Sequence, residues 1–300
     1  MRVANLMICN AGRYRLNQTL SAMTEANRAI SSGKRVNEAS DDPVAAGRIL
    51  QIESSLSYMD QIGRSIDTGK KWLETQESTL NSVLESILDA RDTALAMSNA
   101  TCNADDLATA GDAVHQLLLT MVDLSNSQVD GNYLFSGTKT DTCPYVLDDP
   151  DNPTLITYQG NDAAFSIQIR QNATLAVGYS GEAVFGSIES GEDIFSLLFQ
   201  MEDDLRNNGG GNLGTFIAAL DSHYERVVNT VSSMGVKTNR LEMTETILAE
   251  LELTLTSDKS GLEDADIVES ITLLTQRQTA YEASLAATSK IMSLSLVDYM

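Results

Sequence analysis

The chain has 300 residues, of which 5% are aromatic and 4 are proline, and it carries 42 Asp and Glu against 20 Lys and Arg. The formal net charge is -22 and the sequence pI about 4.3. That length admits two or three domains; the charge argues against nucleic acid, whose phosphates need a basic surface, and against an anionic membrane surface.

A first helix is expected from about Asn5 to Ser32. Leu16, Leu20, Met23, Asn27 and Ile30 step by fours and threes, the seam of a helix that seeks a partner helix. Gly33 suits a helix C-cap, and a polar break follows from Lys34 to Asp42. Asp42 can cap the free amides of a second helix, and Pro43 is tolerated at its first position. That helix holds the same spacing from Ile49 through Ile52, Leu56, Met59, Ile66, Leu73, Leu80 and Leu84 to Ile87, broken only by Gly63, Lys70 and Glu77. It is expected to end near Asn99 to Asn103, a rod of roughly 80 Å at about 1.5 Å per residue. A third helix, about Ala104 to Asp130, places Ala110, Val114, Leu117, Met121 and Leu124 on one face.

The pattern then changes. Asn132 to Gly186 is rich in Gly, Asn, Asp, Thr and Tyr, and Phe165, Ile167 and Ile169 alternate with polar residues, a strand signal. A small β-rich insertion of short strands is expected here. Helices resume at Asp193 to Asn207, and a glycine-rich loop at 208–212 precedes the last long rod, which runs from Leu220 past Leu241 to Leu255. A second break is expected from Ser257 to Asp264, with Gly261 inside it. The terminal helix carries Ile267, Ile271, Leu274, Gln278, Tyr281, Leu285, Thr288 and Met292 in the same steps.

The fold class is therefore mainly α: a long helical-rod bundle with paired terminal helices and a small β-rich insertion. The expected division is 1–40 with 257–300 as terminal helices forming an inner assembly layer, 41–131 with 190–256 as the rod domain, and 132–189 as an outward-facing insertion. The candidate assembly interface is Leu16, Leu20, Met23, Ile30, Ile267, Ile271, Leu274, Tyr281, Leu285, Met292 and Leu296. The candidate hinge residues are Gly33, Asp42, Pro43 and Gly261. An isolated helix pair of this size is marginal in water, so the terminal helices are expected to order on assembly. The ends also differ in charge. Residues 1–48 hold seven bases against four acids, +3, whereas residues 245–300 hold ten acids against three bases, -7. That split can help the ends choose partners.

Catalytic chemistry is not expected. The only histidines are His115 and His223, each read as an exposed or partly packed helix residue. No nucleophile-elbow, zinc-protease or phosphate-loop motif occurs. Asp148 to Asn152 lacks the central Gly of a calcium loop, and Gln159 stands where its last acid would be. Glu202, Asp203 and Asp204 read as a solvated helix face. Cys9, Cys102 and Cys143 fit neither a metal site nor a disulfide framework. No cofactor and no metal are expected. No apolar run of roughly 18 residues occurs, so no membrane span is expected, and Met1 to Leu16 does not read as a secretory signal.

Several motifs carry a resemblance. Ser31-Ser32-Gly33-Lys34-Arg35-Val36-Asn37 followed by Asp41-Asp42-Pro43-Val44-Ala45-Ala46-Gly47 resembles the N-terminal signature of the flagellin superfamily. Gly131 to Thr142, Tyr158-Gln159-Gly160-Asn161, Glu263-Asp264-Ala265-Asp266, Leu274 to Tyr281 and Ser293 to Tyr299 are similar to its hook–filament junction branch. The resemblance spans nearly the whole chain. Cys143-Pro144-Tyr145 and Cys9 depart from the usual pattern. The resemblance implies a structural subunit, secreted by the flagellar type III apparatus and placed in the extracellular flagellum where hook meets filament. The implied partners are further copies of itself in a homo-oligomeric ring, the first hook–filament junction protein, flagellin and a flagellar export chaperone. The alternatives are a flagellin of the filament itself and, more distantly, a cytoplasmic coiled-coil scaffold.

Overall fold

The computed structural model describes residues 2–98, 103–149, 153, 155–207 and 211–297. Seven helices and six short strands are formed by the described residues. In chain order they are α1 Arg2–Ser32, α2 Pro43–Met97, α3 Ala104–Ser125, β1 Gln128–Val129, β2 Asn132–Tyr133, β3 Tyr145–Leu147, β4 Ile156–Tyr158, β5 Ser166–Arg170, β6 Ala173–Ala176, α4 Gly181–Phe185, α5 Ile194–Asn207, α6 Leu213–Glu263 and α7 Ile267–Val297. The chain is mainly helical with a small strand-bearing insertion. It divides into two compact units, one formed by Met1–Met59 with Ala249–Met300 and the other by Asp60–Leu248.

In the unit Asp60–Leu248, α2 buries two parallel lines of residues. One is Ile66, Leu73, Leu80 and Ile87, seven apart; the other is Ile62, Gly69, Gln76, Val83 and Ala90. Gly63, Lys70 and Glu77 therefore do not interrupt a seam. They flank it, and Lys70 reaches Glu245 of α6. Val114, Leu118 and Met121 of α3, Leu198, Met201 and Leu205 of α5, and Leu220, Val227, Met234 and Leu241 of α6 supply the rest of the core. A Cβ on Gly111 would meet the Arg206 side chain at 2.7 Å, so α3 and α5 approach closely there.

The strands form three two-stranded antiparallel hairpins, β1–β2, β3–β4 and β5–β6. Asp130 and Gly131, with φ of 51° and 83°, make the tight turn of the first. Three devices seat this region on α2. Trp72 stacks on Phe165 with ring centroids 4.8 Å apart. Gln76 Nε2 donates to the Leu134 carbonyl at 2.8 Å. Gly69 leaves space for Ile167, whose Cδ1 would stand 2.4 Å from an added Cβ. Beneath the hairpins Phe135, Tyr145, Phe185 and Phe195 form a buried aromatic cluster.

Several expectations need correcting. Helix α3 ends at Ser125, not near Asp130. Asn126 stops it, because its side-chain amide bonds both the carbonyl and the amide of Tyr145 and so belongs to the hairpin region. Glu202 and Asp204 are not on a solvated face. Glu202 holds His115 and Arg206, and Asp204 accepts from the Asn212 amide at the start of α6. Helix α6 runs through Gly261 to Glu263, so no break occurs over 257–263. One interior glycine costs about 1 kcal/mol, which a long helix sustains, and Lys259 bridges Glu53 and Glu263 across that stretch.

His223 is buried as well, with Nδ1 lacking a partner among the described residues. Burial first, then the neighbouring Arg226 charge, pushes its imidazole down to about 4 against a small opposing pull from Asp193. The unfolded chain takes up that proton near 6.5. Stability should therefore fall as pH drops from about 6.5 to about 4, by at most about 3 kcal/mol. Thermal melts across that window should show the slope, and His223→Leu should flatten it. Gln76→Leu, which strands a buried carbonyl, should cost about 1–3 kcal/mol in the same melts.

Candidate functional site

The polar stretches after α1 and before α7 meet in the unit Met1–Met59 with Ala249–Met300. Gly33 ends α1 with φ of 72°, its amide bonded to the Ala29 carbonyl. The chain then pairs with residues 263–265. Arg35 N donates to the Glu263 carbonyl at 2.7 Å, Ala265 N donates to the Gly33 carbonyl at 2.9 Å, and Lys34 and Asp264 form an antiparallel bridge. The second polar break is thus only Asp264 to Asp266, directly opposite the first.

Side chains complete this joint. Lys34 pairs with the largely buried Glu263, and Arg35 donates to the Leu262 carbonyl. Arg28 on α1 reaches both Glu38 and Asp41. Asp41 accepts from the amides of Asn37 and Glu38, and those bonds, more than the nearby Arg28, hold its carboxyl below the ordinary range. Asp42 caps α2 by accepting from Ala45 and Val44, which lowers its carboxyl too. Pro43 is the first residue of α2. Val36, Ala45 and Ile49 make a small apolar core with Ala46 and Leu262. The joint is therefore a folded knot, not a slack tether.

Beyond the joint, α1 packs along α7. Leu16, Met23 and Ile30 are half-buried, as are Leu274 and Tyr281. Small residues set the close approach: Ala26 is buried, and a Cβ on Gly12 would stand 3.3 Å from Thr288. Ile267, Ile271 and Leu285 remain 55%, 51% and 50% exposed, and Leu20 on α1 41%. Met7 and Tyr14, one heptad apart, are more exposed still. The pair thus covers only part of its apolar surface. The side chains of Met292 and Leu296 lie outside those described, as does that of Cys9. The joint's ion pairs and backbone bridge escaped the sequence reading, which treated the two breaks as separate; opposite charges at Lys34 and Glu263 were its only trace. A cavity of about 390 Å³ lies under the joint, between the Ala22, Ala26 and Ala29 face of α1 and Leu273 and Arg277 of α7. Among the described residues no group of three or more His, Cys, Asp or Glu side chains could hold a metal, and no helix is long and apolar enough to cross a membrane.

Comparison with known proteins follows this architecture. The helical N-terminal region of bacterial flagellin matches residues 3–140, and its helical C-terminal region matches residues 217–300. The flagellar hook-associated protein 3 of Escherichia coli (strain K12) is 26% identical over 321 aligned residues, spanning 99% of this chain and 98% of that protein. The phase 1 flagellin of Salmonella naestved is 26% identical over 176 residues, 58% of this chain but 32% of its own. Among solved structures, the flagellar hook associated protein-3 of Legionella pneumophila superposes with a TM-score of 0.64 at 15% identity, over 71% of this chain and 98% of that one, and shares its fold.

The geometry separates two glycines. Gly33→Ala should strain the left-handed position and destabilise the joint by about 1–2 kcal/mol. Gly261→Ala should instead stabilise α6 by up to about 1 kcal/mol. Hydrogen exchange at Arg35 and Ala265 reads both: faster for the first variant, unchanged or slower for the second.

Proposed function

The chain belongs to the flagellin superfamily, and on that premise we propose that it is a structural subunit of the bacterial flagellum that joins the hook to the filament. The observation that carries this reading is the end-to-end match to a hook-associated protein 3, at 99% and 98% of the two chains. A flagellin of the filament is the second reading, and the match to such a protein covers only 32% of its length. Here the stretch between the long helices is small, three hairpins and two short helices.

The proposed role is mechanical, without catalysis. The exposed Leu20, Ile267, Ile271 and Leu285 are apolar groups that α1 and α7 leave open to water. A helix pair with such a face is stabilised when other helices cover it. We assign that cover to neighbouring subunits in a homo-oligomeric ring, to the first hook–filament junction protein on the hook side and to flagellin on the filament side. The terminal helices would form the inner layer of the tube, the rods the next, and the hairpin insertion the outer one. Before assembly an export chaperone would shield the same face during secretion to the extracellular flagellum. The joint at 33–42 and 264–266 then links the inner layer to the rods. The basic partner of each of its ion pairs is solvent-exposed, and such pairs are individually weak, so the knot yields before the long helices do.

Deletion of the gene, followed by electron microscopy, tests the role. Hooks without filaments and flagellin shed into the medium are expected; normal filaments would overturn the proposal. Ile271→Asp with Leu285→Asp should reproduce the deletion phenotype while leaving the melting of the unit Asp60–Leu248 unchanged.

A further inference from the structure

In the unit Asp60–Leu248 three cations of α6 find no acid among the described residues. Five helical bases of this unit find an acid: Arg64 with Asp60, Lys70 with Glu245, Lys71 with Asp130, Arg91 with Asp221, and Arg206 with Asp112. Arg226, Lys237 and Arg240 on α6 have no acid within ion-pair distance among the described residues. Lys237 lies over the Tyr179 ring at 3.7 Å, and Arg226 lines an open polar groove of about 470 Å³ with Tyr179, Glu225 and Ser233. In a chain with twice as many acids as bases, these three cations leave positive charge on α6 that no acid neutralises among the described residues, although Lys237 rests on Tyr179 and Arg226 packs beside Gly186.

Their placement is regular. Arg226 and Arg240 each precede a buried seam residue, Val227 and Leu241, by one position. The acids of α6 that meet α2 lie on the other side of that seam: Asp221 follows Leu220 by one, and Glu245 follows Leu241 by four. At about 100° per residue, the cations occupy the flank of α6 turned away from α2; Tyr179 and Gly186 lie against its Ser233, Lys237 and Arg226, and Arg240 is exposed. On α2 the exposed back carries Glu74, Glu85 and Asp89, again with no ion pair among the described residues.

Height completes the match. Lys70 pairs with Glu245 and Arg91 with Asp221, so α2 and α6 run antiparallel in this unit. Between those two fixed points Arg240 stands level with Glu74, and Arg226 level with the stretch from Glu85 to Asp89. We propose that this flank of α6 docks on the back of α2 of a second copy placed alongside at the same height, with Arg240 facing Glu74 and Arg226 facing Glu85 and Asp89 of that copy. Such a contact joins two different patches, so it is heterologous and repeats around a ring. Opposed charges then set the register between copies and weaken with salt. The inference rests on the reading of the chain as a subunit that assembles with its own copies, and it adds which faces meet.

The test uses the full chain in flagellated cells, with Cys9, Cys102 and Cys143 replaced by Ser. Glu74→Cys with Arg240→Cys, treated with a short bis-maleimide, should give a ladder of covalently linked copies; neither single variant should give more than a dimer. A second set reads the charge directly. Arg226→Glu with Arg240→Glu should abolish attached filaments, and adding Glu74→Arg, Glu85→Arg and Asp89→Arg should restore them. No ladder in cells whose hooks still carry filaments would overturn the contact and leave the junction role standing. Filaments that persist after complete deletion of the gene would instead overturn the junction role.

Discussion

The terminal unit depends on one short piece of backbone pairing. The amides of Arg35 and Val36 donate to the Glu263 carbonyl and that of Ala265 to the Gly33 carbonyl, with Lys34 opposite Asp264, so the two polar breaks form a single joint. The direction in which α1 leaves α2, and α7 leaves α6, is fixed there together. Because both helices leave the same knot, they emerge side by side and can pack along their length. A left-handed residue at Gly33 makes the first bend possible, and the caps on α2 by Asp42 and on α7 by Asp266 restart the helices immediately after it. The small core of Val36, Ala45, Ile49 and Leu262 packs beside this bridge.

The charge split between the chain ends is used at this joint more than along the helices. Helix α7 is balanced, with Glu269 and Glu282 against Arg277 and Lys290. The acidic excess lies instead near the end of α6 and in the break, where Glu263 meets Lys34. Opposite charge at the two ends thus locates the joint, whereas packing of α1 on α7 relies on small and apolar residues such as Ala26, Gly12 and Leu274.

Much of the architecture was legible because long helices announce themselves by spacing. Seven-residue steps through Ile66, Leu73, Leu80 and Ile87 give α2, and Gly33 with Asp42 and Pro43 gives the first break. The second buried line of α2 was not legible, since Gly69, Gln76 and Ala90 do not count as apolar anchors in a sequence pattern. Their burial follows from what packs on them: Ile167 over Gly69 and the Leu134 carbonyl on Gln76. The second break was misplaced for a related reason. Gly261 looks like a breaker in isolation, but Lys259 ties its turn to Glu53 and Glu263, and the chain bends only at Asp264. The site was half legible: the apolar faces could be read, but their degree of exposure depends on how α1 and α7 meet.

On the proposed reading, the apolar faces that both terminal helices of this flagellin-superfamily chain leave exposed are completed by neighbours. Where those neighbours are is the central claim, and localisation addresses it most directly. Immunogold labelling of intact flagella against the hairpin region, residues 128–176, should mark one collar at the distal end of each hook. Label spread along the whole filament, or confined to the cell interior, would contradict the account.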